Sequence, residues 1–250
     1  MSTLTINLPD GSARELPVGS TAGDLAASIG SRLAKAAVAA VVNGAEADLG
    51  APLPEGAMVS IITADSDAGR HVLRHSTAHV LAQAVTQLFP GAKFSIGPAI
   101  EDGFYYDFDL PEGRTFSESD LTAITDRMKQ IVAANQPFVR SEVSVDEALR
   151  LFADQPYKCE IINRVTSGSA DGADSGEVGG GETISVYRNT EAFVDLCRGP
   201  HVPTTAKLGH FALMKVAGAH WRSSEKGPML QRIYGTAWES KAALDEHLHR

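Results

Sequence analysis

The feature that most constrains the fold is a long helical run at residues 70–89. This run contains neither glycine nor proline and is followed by Pro90-Gly91, a pair that ends helices. At about 100° per residue its apolar residues gather on one side, whereas His75 and His79 lie on nearly the opposite side. The apolar stripe consists of Leu73, Val80, Leu81, Ala84, Val85 and Leu88. We therefore expect a helix of several turns whose two histidines lie off its main apolar stripe.

The region before this helix has the element order of a β-grasp domain. Alternating polarity predicts a hairpin, polar caps predict one helix, and an Asn-Gly pair marks a second hairpin. The expected elements are two strands from residue 3 onward, a helix capped by Ser20 or Thr21 that runs through Ala27 with Gly30 as its stop signal, a strand ending at Asn43-Gly44, and a strand at 57–63. Residues 1–63 are thus predicted to form a small ubiquitin-like unit, which we call the first module.

A small, polar and acidic segment at residues 64–69 separates the two parts of the chain. Such a composition is typical of a linker. The chain of 250 residues has room for two modest domains, since single domains usually span about 100–200 residues. We therefore assign residues 70–236 to a larger second module. Residues 237–250 are assigned to the start of a polar helix.

The second module mixes helices and strands, which predicts an α+β fold class for the chain as a whole. The expected elements after the first helix are strands at 103–108, 184–189 and 211–216 and helices from Ser117 and over 145–153. Residues 166–182 are rich in glycine, serine and aspartate and have almost nothing to bury. We expect a disordered surface loop there, without chemistry of its own.

Two pairs of metal-ligating residues share a four-residue spacing. His75 and His79 lie about one turn apart on one face of the predicted helix. Cys197 and His201 repeat the spacing, but the Gly-Pro pair between them makes that segment a turn. Three nitrogen donors and one sulfur donor suit tetrahedral Zn²⁺. A lone HxxxH pair is weak, because most such pairs are structural or exposed, and the second pair strengthens the signal.

Several common catalytic motifs are missing from the sequence. A metalloprotease of the HExxH type needs a glutamate directly after its first histidine, whereas Ser76 follows His75. The chain has no GxSxG elbow and no P-loop, and the glycine-rich residues 179–181 lack the Lys-Ser or Lys-Thr that would bind a phosphate. Any catalysis must therefore use histidine, cysteine and lysine groups.

The charge distribution bears on binding partners. The formal net charge of −9 excludes a nucleic-acid footprint over the whole surface. Residues 207–232, however, carry five cations against the single anion Glu225. Either a polyanion-binding surface or an ordinary solvated basic face would fit that composition.

Targeting signals and cysteine usage indicate a cytoplasmic protein. The sequence begins without the basic and apolar segments of a secretory signal. No stretch approaches the ~18 apolar residues of a membrane span, so no membrane partner is expected. Cys159 and Cys197 are the two cysteines, which favours thiols or metal ligands over a disulfide framework.

Four strings of residues, in order after a β-grasp module, resemble the bacterial type of threonyl-tRNA synthetase. They are RHSTAH at 74–79, GFYYDFDL at 103–110, DLCRGPHVP at 195–203 and MLQRIYGTAW at 229–238. The resemblance covers essentially the whole chain apart from the glycine-rich loop. It implies a TGS domain followed by an editing domain of the threonyl/alanyl-tRNA synthetase type. The family's class II catalytic core and anticodon-binding domain are expected to be absent here, with the polar helix at 237–250 leading toward that core.

In such a family the parent protein ligates threonine to its tRNA with ATP, and ATP, Mg²⁺ and a further zinc belong to the absent core. The resemblance implies a homodimeric parent, while a monomer is an option for this fragment. The fragment itself should not aminoacylate. It should instead hydrolyse seryl-tRNA(Thr), because serine lacks only one methyl and is rejected by only roughly 1–3 kcal/mol at a threonine pocket. A second, smaller site can admit serine and exclude threonine by size.

By resemblance, the catalytic residues are His75, His79 and Lys158. His75 and Lys158 are candidates for activating the hydrolytic water and for stabilising the leaving ribose oxygen. The alternative interpretation of Lys158 is an ordinary surface lysine.

The resemblance also implies a set of substrate-binding residues, namely Tyr106, Asp195, Cys197 and His201. Asp195 could take the substrate ammonium, and Cys197 and His201 could line the side-chain pocket. Tyr106 could equally be a strand aromatic packed in the core. The expected RNA partner is the acceptor end of tRNA(Thr).

The use of metal stays open in this interpretation. Editing is expected to need no cofactor, although the set His75, His79, Cys197 and His201 could hold zinc, as it does in alanine-type relatives. Two rival functions remain. One is a zinc-stapled tRNA-binding module without catalysis, and the other is a regulatory protein in which the TGS domain binds a partner.

Overall fold

The computed structural model describes residues 2–168, 183–190 and 192–250. The first module contains five strands and two helices. They are β1 (Thr3–Asn7), β2 (Ala13–Pro17), α1 (Ala22–Ile29), α2 (Ser31–Ala36), β3 (Ala37–Val42), β4 (Ala45–Ala47) and β5 (Val59–Thr63). Strands β1 and β2 form an antiparallel hairpin, and β3 pairs antiparallel with both β4 and β5. A parallel bridge from Asn7 to Met58 joins the two sheets, which gives the β-grasp arrangement.

Local signals account for the turns and caps of this module. Thr21 caps α1 in a capping box with Asp24, and Gly30 ends that helix, as predicted. Asn43 and Gly44 both adopt positive φ, the conformation that a tight hairpin between β3 and β4 requires. The short helix α2 was not predicted, because its six residues carry no side-chain cap.

The second module is built on two antiparallel sheets. Its strands are β6 (Lys93–Phe94), β7 (Ala99–Ile100), β8 (Gly103–Asp109), β9 (Val139–Ser144), β10 (Thr183–Thr190), β11 (Phe193–Leu196), β12 (His210–His220) and β13 (Met229–Trp238). The larger sheet has the order β12-β13-β8-β6, with β7 also on β8, and the smaller has the order β11-β10-β9. The mixture of helices and antiparallel sheets confirms the α+β class.

Five α-helices lie in the described residues after the first module. They are α3 (Asp67–Leu88), α4 (Glu118–Ala133), α5 (Val145–Leu151), α6 (Pro156–Thr166) and α7 (Lys241–Leu248). Ser117 and Asp120 form the capping box of α4, in agreement with the sequence. Helix α6, which carries Lys158, was not predicted. In the parts of the chain that are described, no helix combines the length and the apolar character needed to cross a bilayer.

Helix α3 begins inside the segment that composition assigned to a linker. Ser66 caps it by accepting from the backbone N–H of Gly69, so residues 67–69 form its first turn. A Cβ at Gly69 would collide with the carbonyl of Thr63, and glycine lets the helix start directly against β5. The linker is therefore shorter than predicted.

The burial of α3 also differs from the expected single stripe. Most of its residues from Val72 to Val85 are buried, including Ser76, Thr77 and His79. The helix packs against the large sheet, against α4 and against β3 and β5 of the first module. Contact on several sides is the reason that polar residues off the apolar stripe are buried as well.

Two further expectations need correction. Residues 237–238 continue β13 instead of starting a helix, because Trp238 pairs with His210 of β12, and α7 starts only after Ser240. The expected loop at 166–182 begins with Thr166, which is the last residue of α6. Residues 169–182 lie outside the described part of the chain.

Candidate functional site

Four potential metal ligands converge from α3 and from the turn after β11. The Sγ atom of Cys197 lies 2.8 Å from Nε2 of His75 and 3.1 Å from Nε2 of His201. The backbone N–H of Gly199 also donates to this sulfur at 3.1 Å. With His79 included, one ligand atom from each residue lies within 4.8 Å of the others. We call these four residues the four-donor cluster.

The ring of His201 is oriented from several directions. Its Nδ1 lies 2.8 Å from Oγ of Ser76, and that hydroxyl accepts from the backbone N–H of Val202. One face of the ring stacks on His75 at 4.6 Å between centroids, and Phe138 stacks on it at 4.9 Å. The imidazole is therefore held between two rings and cannot turn freely.

A buried carboxylate lies next to the four-donor cluster. Asp195 accepts hydrogen bonds from Oη of Tyr106 at 2.6 Å and from the backbone N–H of Leu196 at 2.7 Å. Nζ of Lys158, on α6, forms an ion pair with it at 2.8 Å. Nε2 of His79 lies 3.7 Å from the same carboxylate. Asp195 thus connects the ion pair to the histidines.

All seven residues predicted for the site come together in this region. Six of them are at most 1% exposed, namely His79, Tyr106, Lys158, Asp195, Cys197 and His201. His75 is the partly exposed member. The interpretation of Lys158 as a surface lysine is therefore wrong, whereas Tyr106 both packs in the core against Phe108 and contacts Asp195.

Burial keeps the three imidazoles uncharged. It lowers the pKa of His75 to about 3, with further contributions from neighbouring His79 and His71. Burial and the nearby charge of Lys158 lower the pKa of His79 to about 3. The pKa of His201 is also well below its ordinary value, mainly because of burial. At neutral pH each ring offers a lone pair to a ligand or to water.

The donor set fits a tetrahedral metal ion. Zinc bonds of ~2.0–2.3 Å place neighbouring ligand atoms about 3.3–3.8 Å apart. The four-donor cluster spans up to 4.8 Å, with its shortest separations near 3 Å, so shifts of around 1 Å would suffice. Moreover, Nδ1 of His79 is buried and has no hydrogen-bond partner among the described residues. The cluster could hold a metal ion.

The basic segment 207–232 is largely engaged within the molecule. Arg232 donates two hydrogen bonds to Asp107, at 2.8 and 2.9 Å. Arg222 pairs with Glu160 at 2.9 Å, and Nζ of Lys207 donates to the carbonyl of Lys35. These three side chains each bind another residue of the same chain, which neither sequence interpretation of the segment predicted.

Sequence reasoning missed several residues around the site. Ser76 and Phe138 fix the His201 ring. In the sequence, Ser76 was only evidence against a metalloprotease motif. Asp48 of the first module and Tyr187 of β10 also contact the turn that carries His201. Nothing in the sequence near Asp48 or Tyr187 signals this contact, because each lies far along the chain from its partners.

Two family models match the chain. Residues 4–63 match the TGS domain. Residues 184–234 match the threonyl and alanyl tRNA synthetase second additional domain. The second match includes Asp195, Cys197 and His201, while the other four predicted site residues lie before it.

Curated relatives align with nearly the whole chain. The threonine–tRNA ligase of Pelobacter propionicus is 48% identical, and the alignment covers 100% of this chain and 37% of that protein. The threonine–tRNA ligase of Rubrobacter xylanophilus is 47% identical, and the alignment covers 98% of this chain and 36% of that protein. The threonine–tRNA ligase of Magnetococcus marinus is 49% identical, with 97% of this chain and 36% of that protein aligned. The chain thus spans little more than a third of the length of these relatives.

Proposed function

Because the chain belongs to the bacterial-type threonine–tRNA ligases over the part that carries the TGS and second additional domains, we propose that it hydrolyses seryl-tRNA formed in error. Serine differs from threonine by one methyl group, and a synthetic pocket rejects such a neighbour by only about 10–200-fold. A separate hydrolytic site supplies the accuracy that binding cannot. The assignment of residues 1–63 and 70–236 to TGS and editing domains is part of the proposal.

One observation carries this proposal: the four-donor cluster meets the buried Asp195–Lys158 pair in one place. Neutral imidazoles, a thiol and a buried ammonium are groups that bind water and stabilise a developing negative charge. They come from α3, α6 and the segment after β10, far apart in sequence. A packing role alone does not require this combination of polar groups.

The proposed reaction is ester hydrolysis. Water attacks the ester carbonyl carbon, the bond to the ribose oxygen breaks, and the proton of the water ends on that oxygen. His75 orients the water, since it is the partly exposed imidazole, and His79 supports it. With a pKa of about 3, His75 is a weak base and acts by positioning. Lys158 supplies positive charge toward the leaving oxygen.

Substrate binding is assigned to the remaining residues. We assign the substrate ammonium to Asp195, whose carboxylate pairs with Lys158 and accepts from Tyr106 and from the backbone N–H of Leu196. Tyr106 keeps this carboxylate in place. Cys197 and His201 line the pocket for the serine side chain.

Metal is not required in this proposal. Zn²⁺ held by His75, His79, Cys197 and His201 would supply Lewis-acid polarisation of the ester carbonyl. The fit of the cluster to zinc favours a second candidate function, a zinc-stapled tRNA-binding module without catalysis. Zinc content combined with deacylation measurements separates the two.

The partner in the proposed reaction is the acceptor end of tRNA(Thr) carrying a seryl ester. A cytoplasmic location follows, because aminoacyl-tRNA is made and used there. A homodimeric full-length protein belongs to the same proposal.

The test is release of labelled serine from seryl-tRNA(Thr) by the purified chain. We expect release above the protein-free rate, loss of release in His75→Ala, and retention in Cys159→Ala, the control at the second thiol. Cys159 lies on α6 outside the four-donor cluster. Release that is equal in the presence and absence of the chain would contradict the proposal.

A further inference from the structure

Asp48 belongs to the first module but makes its side-chain hydrogen bonds with the second. It lies just after β4. Its Oδ2 accepts from Oη of Tyr187 at 2.7 Å, and its Oδ1 accepts from the backbone N–H of His201 at 2.9 Å. Both carboxylate oxygens are therefore directed at the segment that carries the four-donor cluster.

Tyr187 links Asp48 to the same turn by a second route. Its side chain is 1% exposed, and its ring packs edge-on against His201 at 4.5 Å between centroids. The backbone of Gly199 passes so close to the Tyr187 hydroxyl that a Cβ at Gly199 would collide with it. Gly199 also has a φ of +79°, so glycine is favoured there on two grounds. The turn rests on the phenol that Asp48 holds.

The inner side of this turn carries two members of the four-donor cluster. The N–H of Gly199 donates to Sγ of Cys197, and His201 Nε2 lies 3.1 Å from that sulfur. Shifting the turn would change both separations at once. Catalytic geometry is sensitive at this scale, since a misplacement of about 1 Å can cost roughly a hundredfold in rate.

Docking of the first module does not depend on Asp48 alone. Val38, Ala39 and Ile62 share a hydrophobic cluster with residues of α3 such as Val72 and Leu73. That contact lies on β3 and β5, whereas Asp48 follows β4. The apolar contact should keep the modules together when Asp48 is changed, which leaves the turn as the feature that Asp48 controls.

We propose that Asp48 is a positioning residue of the four-donor cluster, acting from the first module through Tyr187 and the backbone of His201. The consequence for catalysis rests on the proposed deacylation. It gives the TGS domain a defined contribution to the second module: it sets the position of the turn that bears Cys197 and His201.

The test compares four variants of the chain in deacylation of seryl-tRNA(Thr). Asp48→Ala removes both acceptors, Asp48→Asn keeps an oxygen for the N–H of His201, and Tyr187→Phe removes one hydroxyl. Glu55→Ala is the matched control, because Glu55 is an acidic residue of the same module that accepts from the backbone N–H of Thr5. Steady-state kcat and KM are measured together with the imidazole NMR signals of His201.

We expect Asp48→Ala to lower kcat by about ten- to a hundredfold with little change in KM, because a buried hydrogen-bonding group loses its partner. Asp48→Asn should stay within about fivefold of wild type, since it restores the bond to His201. Tyr187→Phe should fall between them. The His201 signals should move in Asp48→Ala and Tyr187→Phe but not in Glu55→Ala.

Unchanged kcat and unchanged His201 signals in Asp48→Ala would overturn the proposal, as would an equal loss in Glu55→Ala. A wild-type chain that releases no serine would contradict the proposed function instead. In that case the imidazole signals still decide whether Asp48 positions the turn. Should Asp48→Ala fail to fold, Tyr187→Phe gives the same readouts with a smaller change.

Discussion

At the level of single residues, the ion pair of Lys158 and Asp195 is a buried pair of charges whose disruption should destabilise the protein. Both side chains are fully buried. Two charges in the interior are tolerated only when they pair and when their remaining hydrogen bonds are made. Asp195 meets this condition through Tyr106 and Leu196. When one of the two charged side chains is present, the other is therefore needed to compensate its buried charge.

Replacing Lys158 by methionine should destabilise the second module by about 3–5 kcal/mol, because it leaves the Asp195 carboxylate buried without its cation. Urea denaturation measures the change. Adding Asp195→Asn to Lys158→Met should recover part of the loss by removing the remaining charge. Lys241→Met is the control, since its pair with Asp245 is exposed and should be worth only about 0.3–0.5 kcal/mol. Equal losses for Lys158 and Lys241 would show that burial of the pair has no effect on stability.

The four-donor cluster can be tested for a water-binding or a metal role. We expect His75→Ala and Cys197→Ala to abolish serine release while the protein stays folded. If the cluster holds structural zinc, each change should also remove the metal and lower the melting temperature, because metal-binding energy is then folding energy. Elemental analysis and melting with and without chelator are the measurements.

Cys159→Ala serves as control in that experiment, because the Cys159 thiol donates to the backbone carbonyl of Phe152 and is not a member of the four-donor cluster. Stoichiometric zinc together with collapse of the fold on chelation would decide for the structural metal. Metal-free protein with full activity would decide for the imidazoles, the thiol and Lys158.

The residues that the sequence singled out for the site lie together in the structure, whereas the residues that orient them were not found from the sequence. His75, His79, Cys197 and His201 could be found from their spacing, and Lys158 from the resemblance. Ser76 and Asp48 could not, because a serine in a helix and an aspartate in a loop carry no pattern. Their roles arise only when distant segments meet.

At the level of elements, the sequence predicted caps and turns correctly but misjudged burial. Thr21, Ser117 and the Asn43-Gly44 pair act locally, and local interactions are visible in the sequence. The burial of His79 on α3 is a tertiary effect, since that helix has packing partners on several sides. A helical period reports one buried face and does not exclude a second.

The segment between α6 and β10 gives a prediction based on composition. Residues 169–182 are mainly small and polar, a composition from which we expect little contribution to stability. Replacing them with a short Gly-Ser link should leave serine release unchanged. Stability should change only slightly, since halving a loop is worth only about 0.6 kcal/mol. Thermal melting and the deacylation assay measure both effects, and a large loss of release would show that the segment contributes to the site.

At the level of the whole molecule, the two modules are joined more closely than a linker implies. One part of β3 and β5 packs in the core of the first module through Ala37, Ala40 and Val59. Another part packs on α3 through Val38 and Ala39. The continuous apolar run of β3 was a signal of burial on both faces, but it did not identify what covers the second face.

The last prediction concerns the selectivity of the whole chain for its ester. The three imidazoles pack with ring centroids 4.1–5.1 Å apart, and six of the seven site residues are buried, so the walls of the pocket have little freedom to move. Inserting one methyl into such packing costs typically about 1–3 kcal/mol, or roughly 5–150-fold in rate. The chain should therefore release serine from seryl-tRNA(Thr) about 5–150-fold faster than threonine from threonyl-tRNA(Thr). Single-turnover deacylation of both esters on the same tRNA measures this ratio, with protein-free hydrolysis of each ester and the His75→Ala chain as controls. Equal enzymatic rates on the two esters would mean that the site does not discriminate by size.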